Sequence, residues 1–354
     1  MRDQWMKAAR RASTIFLATA ITLSASAAMA GSPWVLPEGR TVLQLDFRTE
    51  FADREFLPDG TNQEFPVNGR YSSQTLGLTL RQGFAQDFEV SLSASYKALS
   101  YDADPITVIG PIGTNADGDA INGQILPTFD VNRQIEGLAD VFLGVRYNLY
   151  KGPILITPEL ELKIPGGYEG PRGTFVGDNP GLLTNDDGTF QEQRVGNVPA
   201  IDDVALGDAQ VDLTASMLFG TFIPASRTFA RAGAGFRFRF GGAGQQVIGD
   251  IKLGQLIGER LVFFVASSIT HTVTEGRVIG ISYATKETNT PAQAFPASNF
   301  ELFDLRLDKN FIDVSGGGIF KTGPYELILS GGKILDGENI SETIFVSFST
   351  TYRY

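Results

Sequence analysis

A chain with a single histidine concentrates any acid–base hypothesis on one residue, His271. Its imidazole could serve as base toward a hydroxyl nucleophile held within hydrogen-bond reach on the same face of a strand. The residues that follow are Thr272 and Val273, so no serine stands two positions on, and an extended chain turns Thr272 to the opposite face. The absence of cysteine excludes a thiol nucleophile, thiolate metal sites and a disulfide framework. A second constellation is ionic. Arg231, Arg237 and Arg239 share one parity of one segment, and Glu159 and Glu161 share one parity of another. Rows of like charge could mark a track for an anionic solute, or each charge could meet a partner and hold the space closed; spacing leaves both open. Two acidic patches, at 115–119 and 185–188, offer clustered oxygens to a hard cation. Neither has the alternating acids closed by a glutamate at position twelve, so turn chemistry is the simpler reading and no metal site or cofactor is assigned. Gly233, Gly235 and the run Gly316 to Gly318 lie inside strand patterns, not at strand-to-helix turns, and form no phosphate cradle.

These residues need elements to position them, and the elements are written as alternation with a period of two. In 40–51, Leu43, Leu45, Phe47, Thr49 and Phe51 share one face, while Gln44, Asp46, Arg48 and Glu50 share the other. Phe88, Val90, Leu92, Ala94 and Tyr96 likewise oppose Glu89, Ser91, Ser93, Ser95 and Lys97. At 138–149, Ala139, Val141, Leu143, Val145 and Tyr147 oppose Asp140, Arg146 and Asn148. The same reading predicts strands near 40–51, 70–82, 87–100, 138–150, 153–164, 206–219, 227–240, 246–257, 260–273, 309–321, 324–335 and 342–354. Short links alternate with generally longer ones, the longest at 101–137, 165–205 and 274–308, which is the asymmetry of an outer-membrane barrel. The expectation is an all-β, transmembrane, antiparallel up-and-down β-barrel of about twelve strands. Strands of a soluble sandwich or propeller also alternate, but strands of ten or more residues and the alternation of short with long links argue against both. Inside a barrel the ionic residues line the lumen. The candidate lining includes Arg48, Arg146, Glu159, Glu161, Arg231, Arg237 and Arg239, together with Asp46, Glu50, Arg81, Glu89, Lys97, Asp140, Lys163, Asp212, Asp250, Lys252, Asp313 and Arg353.

Both ends of the chain carry addressing information. Arg2, Lys7, Arg10 and Arg11 precede the apolar run 15–23 and a string of small residues, the grammar of a cleaved signal peptide over 1–30 with the cut after Ala30. The apolar run is too short to span a bilayer as a helix. The chain carries a net charge of −11, and the first thirty residues contribute +3 of it, so nucleic acid is an unsuitable partner for the acidic remainder, 31–354. The final strand places Ile344, Val346, Phe348, Thr350, Tyr352 and Tyr354 on one face. A terminal aromatic on such a strand resembles the C-terminal signal by which outer-membrane proteins are presented to the barrel-assembly machinery, with Tyr352 and Tyr354 as its residues. Phenylalanine is the commoner terminus there.

A series of local motifs extends along the chain in order. It comprises Trp34-Val-Leu-Pro-Glu-Gly39, Gly83-Phe-Ala-Gln-Asp-Phe-Glu-Val90, Gly137-Leu-Ala-Asp-Val-Phe-Leu-Gly-Val-Arg-Tyr147, Lys163-Ile-Pro-Gly-Gly167, Leu206-Gly-Asp208 and Leu335-Asp-Gly-Glu-Asn339. On these the chain resembles the outer-membrane family named for the MetA pathway of phenol degradation, which is similar to hydrocarbon and long-chain fatty-acid channels. The resemblance implies a passive channel for small hydrophobic or aromatic molecules in the bacterial outer membrane, surrounded by lipid and lipopolysaccharide. The long acidic loops depart from the pattern. They leave open a non-conducting surface barrel whose loops bind a partner or lipopolysaccharide. A third class, an outer-leaflet lipid hydrolase, is disfavoured because outer-membrane phospholipases and deacylases place a serine two residues beyond the histidine, where this chain has Val273. The chain is therefore expected not to be an enzyme.

Overall fold

The computed structural model describes residues 32–114, 120–125, 132–171, 205–296 and 299–354. The expected signal peptide and both acidic patches lie outside these residues. Twelve long strands form the wall: β1 (Thr41–Ala52), β2 (Arg70–Ala85), β3 (Phe88–Asp102), β4 (Arg133–Tyr147), β5 (Leu155–Ile164), β6 (Val211–Ile223), β7 (Thr228–Phe240), β8 (Gln246–Ile257), β9 (Leu261–Thr272), β10 (Asn310–Thr322), β11 (Tyr325–Glu338) and β12 (Ile344–Arg353). Each pairs antiparallel with its neighbours in sequence, and β1 pairs with β12, so the sheet has no free edge. The closing seam runs from Val42 opposite Arg353 to Phe51 opposite Ile344. Thr41 and Tyr354 then exchange backbone hydrogen bonds of 2.9 and 3.1 Å beyond it. Closure satisfies every wall strand on both sides, which is what a strand inside hydrocarbon requires.

The side chains invert the arrangement of a soluble protein. Leu45, Phe47, Leu78, Leu92, Leu143, Leu160, Val265, Leu329 and Phe348 point outward and are exposed, whereas Asp46, Arg48, Glu50, Glu89, Lys97, Asp140, Lys163 and Asp212 point inward and are buried. An apolar exterior over a polar interior is stable only with hydrocarbon outside, and it is the outward-apolar, inward-polar rule of membrane barrels. One rim carries the short turns. There Tyr325, Tyr352 and Tyr354 form a row with ring centroids 5.1 and 5.6 Å apart, and Phe84 packs edge-on to Phe88, as in an interfacial aromatic girdle.

Two strands, β4 and β6, start about five residues from where the period-two reading puts them. β4 begins at Arg133, not near 138. Opposite it, Ala94 pairs with Val141 and Tyr96 with Leu138, so two steps on β3 match three on β4. The extra residue is a β-bulge; it turns Ala139 inward, out of the lipid-facing set to which alternation assigns it. β6 begins at Val211 and ends at Ile223, several residues later than expected. Residues 206–210 alternate like a strand, but Ala209 takes a left-handed φ of 52° and Asp208 turns its carboxylate into the barrel. At the long-loop end, the expected loop 101–137 contains a hairpin of Val108–Thr114 and Ala120–Ile125, and 274–308 contains a second, Gly280–Thr285 with Phe300–Leu305.

Candidate functional site

Strand register decides which inward charges meet. Glu89, Arg146 and Glu159 lie directly opposite one another across β3, β4 and β5. Arg146 pairs with Glu159 and stands 3.4 Å from Glu89. Arg81, diagonal to Glu89 on β2, donates two hydrogen bonds of 2.7 and 2.9 Å to the same carboxylate. Directly opposed pairs have Cβ atoms about 5 Å apart, so one register row is sufficient to build this network. A second row, nearer the long loops, joins Lys163, Asp212 and Arg239 across β5, β6 and β7. Asp208 enters it from the loop before β6. Lys163 lies 2.5 Å from Asp208 and 2.7 Å from Asp212, and Arg239 pairs with both carboxylates while donating a 2.8 Å hydrogen bond to the Leu307 carbonyl. Burial alone would raise the Asp208 carboxyl, but the Lys163 ammonium and Arg239 guanidinium hold it well below the usual carboxylate range. On the same rim, burial and the adjacent Asp140 carboxylate push the Tyr168 phenol up, and it donates to Asp140.

The remaining candidates separate. Arg231 pairs with Asp250 at 2.5 Å. Arg48 lies 2.6 Å from Glu50 and 3.8 Å above the Phe345 ring, and Lys252 caps Phe264 in the same way. Arg237 faces inward beside Gln246, which accepts its 3.1 Å hydrogen bond. Arg231, Arg237 and Arg239 thus share one face of β7, but two of them are neutralised by different carboxylates, which interrupts a continuous positive track. Arg353 has inward parity but sits at the short-turn rim, half-exposed, 2.8 Å from Glu326. His271 points outward opposite Val247, and Thr272 turns inward, its hydroxyl 3.1 Å from the Lys309 carbonyl.

Residues 32–39 enter the short-turn mouth and cross it from β2 to β7. Gly39 donates to the Gly83 carbonyl at 2.9 Å, the Leu36 amide donates to Glu89 at 2.8 Å, the fully buried Thr157 hydroxyl lies 2.8 Å from the Pro33 carbonyl, and Trp34 meets Phe229 edge-on at 6.2 Å. Above this strap an internal cavity of about 140 Å³ remains, bounded by β4 to β10 with Leu307 and Lys309 at its loop end. Sequence reasoning passed over Asp208 and Lys309, and it leaves open whether 31–39 plugs the lumen from below. Asp208 was visible only as part of a motif, because its turn breaks the alternation by which lumen residues were recognised.

No family model matches the chain, and no curated protein is similar to it. Among solved structures it is similar to the COG4313 outer membrane channel from Pseudomonas putida F1, at 10% identity over 92% of this chain and 98% of that one, with a TM-score of 0.56. It is also similar to the translocator domain of the autotransporter NalP from Neisseria meningitidis (8% identity, 90% of each chain, TM-score 0.42) and to a TodX deltaS2S3 mutant monoaromatic hydrocarbon channel (9% identity, 98% of each chain, TM-score 0.40). At these identities the likeness is one of fold, and the first of these structures agrees with the closed β-barrel described above.

Proposed function

We propose that this chain is an outer-membrane channel for the passive uptake of small molecules, held shut at rest by its own N-terminal strap. The observation that carries the reading is a closed wall, apolar outside and ionic inside, whose short-turn mouth is crossed by a segment held through hydrogen bonds and ring contact. A twelve-stranded cylinder is narrower than the 16–18-stranded porins that keep an open aqueous channel, so a strap of this size is enough to obstruct it. On this reading the chain is exported by a signal peptide removed near Ala30 and inserted by the barrel-assembly machinery using Tyr352 and Tyr354. It works as a monomer among lipid and lipopolysaccharide, with no catalytic step. The short turns face the periplasm and the long loops the exterior.

The family resemblance suggests a hydrophobic or aromatic solute. The charged lining favours one that is itself polar, because an apolar molecule gains nothing by displacing water from ion pairs. Planar-bilayer conductance of the chain refolded without residues 1–30, followed by uptake of an aromatic hydrocarbon into liposomes, separates the two. Ion conductance that rises when 32–38 are removed is the expected result for a polar path. Electrical silence with hydrocarbon uptake would support the hydrophobic solute. The paired charges of the lumen also support the alternative of a closed surface barrel, and silence in both assays after strap removal would replace the channel with it. Deleting 103–132, the part of loop 101–137 between the wall strands, discriminates further, since it would abolish loop-borne binding and leave permeability intact.

A further inference from the structure

One row of the lumen differs from those above and below it. Glu161, Thr214, Arg237 and Gln246 lie opposite one another across β5, β6, β7 and β8, and all four border the internal cavity. In the flanking rows carboxylate and cation sit on adjacent or diagonal strands and join. Here the neutral Thr214 stands between them, which sets the Cα atoms of Glu161 and Arg237 about 10 Å apart, two strand spacings. Arg237 uses one N–H on Gln246, leaving the rest of its fork directed at the cavity, and among the described residues Glu161 accepts no hydrogen bond and forms no ion pair. The space itself is made by small residues. Gly233 and Gly235 take the inward positions before Arg237 on β7, and a Cβ there would lie 2.5 Å from the Asp250 carboxylate or 2.3 Å from the Ser216 hydroxyl.

We propose that this row binds a small zwitterion, with its carboxylate on Arg237 and its protonated amine on Glu161. Carboxylates bordering the cavity outnumber cations six to four, so a lone anion would meet net repulsion. A lone cation would leave the Arg237 fork facing it. A dipolar solute answers both charges and brings no net charge into a low-dielectric enclosure, where uncompensated ions are costly. The cavity of about 140 Å³ has room for roughly four or five waters at about 30 Å³ each, the scale of one small α-amino acid. The inference rests on the channel reading for its biological sense, but the binding itself does not require conduction.

The test is equilibrium dialysis of labelled glycine against the full chain in detergent micelles, with acetate and methylammonium as single-charge comparisons. Glycine should bind at least tenfold more tightly than either, and E161Q and R237Q should each weaken it at least tenfold. T214L, which fills the gap without changing any charge, should abolish binding and covers the case in which a charge variant fails to fold; heat-shifted electrophoretic migration reports folding. Acetate bound as tightly as glycine, glycine binding unaffected in a folded E161Q, R237Q or T214L, or no glycine binding by the parent chain would each overturn the proposal. Glycine bound by a barrel that stays silent in both transport assays after removal of 32–38 would sink the channel reading alone, and a conducting barrel that ignores glycine would sink this one alone.

Discussion

Replacing Gly83 by alanine should open the barrel without altering any residue of the strap. Gly83 faces inward near the short-turn end of β2, and an ideal Cβ there would lie 2.0 Å from the Pro37 carbonyl oxygen, 2.7 Å from its carbon and 2.8 Å from the Leu36 oxygen. All three are backbone atoms and cannot rotate aside. Gly83 does not occupy the left-handed region, so alanine is compatible with its backbone and the penalty falls on the contact alone. Inserting a methyl group into a packed site costs about 1–3 kcal/mol, and each 1.4 kcal/mol is tenfold in an equilibrium. The ratio of released to seated strap should therefore rise roughly 5- to 150-fold. Single-channel recordings of the refolded chain give the open fraction directly, with the 32–38 deletion supplying the fully open reference. The wall should be undisturbed, because the hydrogen bond from Gly83 to the Arg40 carbonyl does not involve the new methyl. If G83A and the deletion both remain as silent as the parent, the strap is not the barrier and the reasoning fails.

Asp208 is buried between Lys163 and Arg239, so D208N should cost about 3–5 kcal/mol by leaving those cations uncompensated, measurable by urea titration of the barrel in lipid vesicles. Its carboxyl titrates lower folded than unfolded. The stabilisation is thus complete above about pH 4, the ordinary aspartate value, and is lost as the pH falls through the folded value. Below pH 4 the parent should accordingly lose stability more steeply than D208N. Val265 stands on the outward face midway along β9 and is well exposed; V265R should destabilise the inserted barrel by about 2–4 kcal/mol, and a cost near zero in the same titration would mean that this face does not meet hydrocarbon.

The wall was legible because each strand carries two independent records of its orientation, an apolar set for lipid and a polar set for the lumen. Leu43, Leu45 and Phe47 alternate with Gln44, Asp46 and Arg48, and the alternation recurs on strand after strand between short and long links. The reading failed where one residue breaks the count. The bulge at Ala139 and Asp140 shifts the parity of β4, and nothing in the residue types there announces it, since alanine suits either face. The lumen residues were identifiable one strand at a time, but their pairing was not. Which of Glu89, Asp212 or Asp250 neutralises a given arginine depends on the stagger between strands, and stagger is a property of closure, not of any one segment. The strap was unreadable for a related reason: Pro33 and Trp34 have no periodicity, and their partners on β5 and β7 lie more than a hundred residues away.

The seam between β1 and β12 also has a consequence in time. Residues 42–51 find their second partner only in 344–353, about three hundred positions later, and the last backbone bonds require Tyr354 itself. Until the final strand has been made, β1 presents a bare edge with nothing to cover it, and edges of this kind recruit other chains. Bringing ends so far apart together is slow relative to forming the hairpins between them. A nascent chain must therefore be kept from pairing with its neighbours until 344–353 has been made, because a chain that stops before this strand leaves β1 with no second partner.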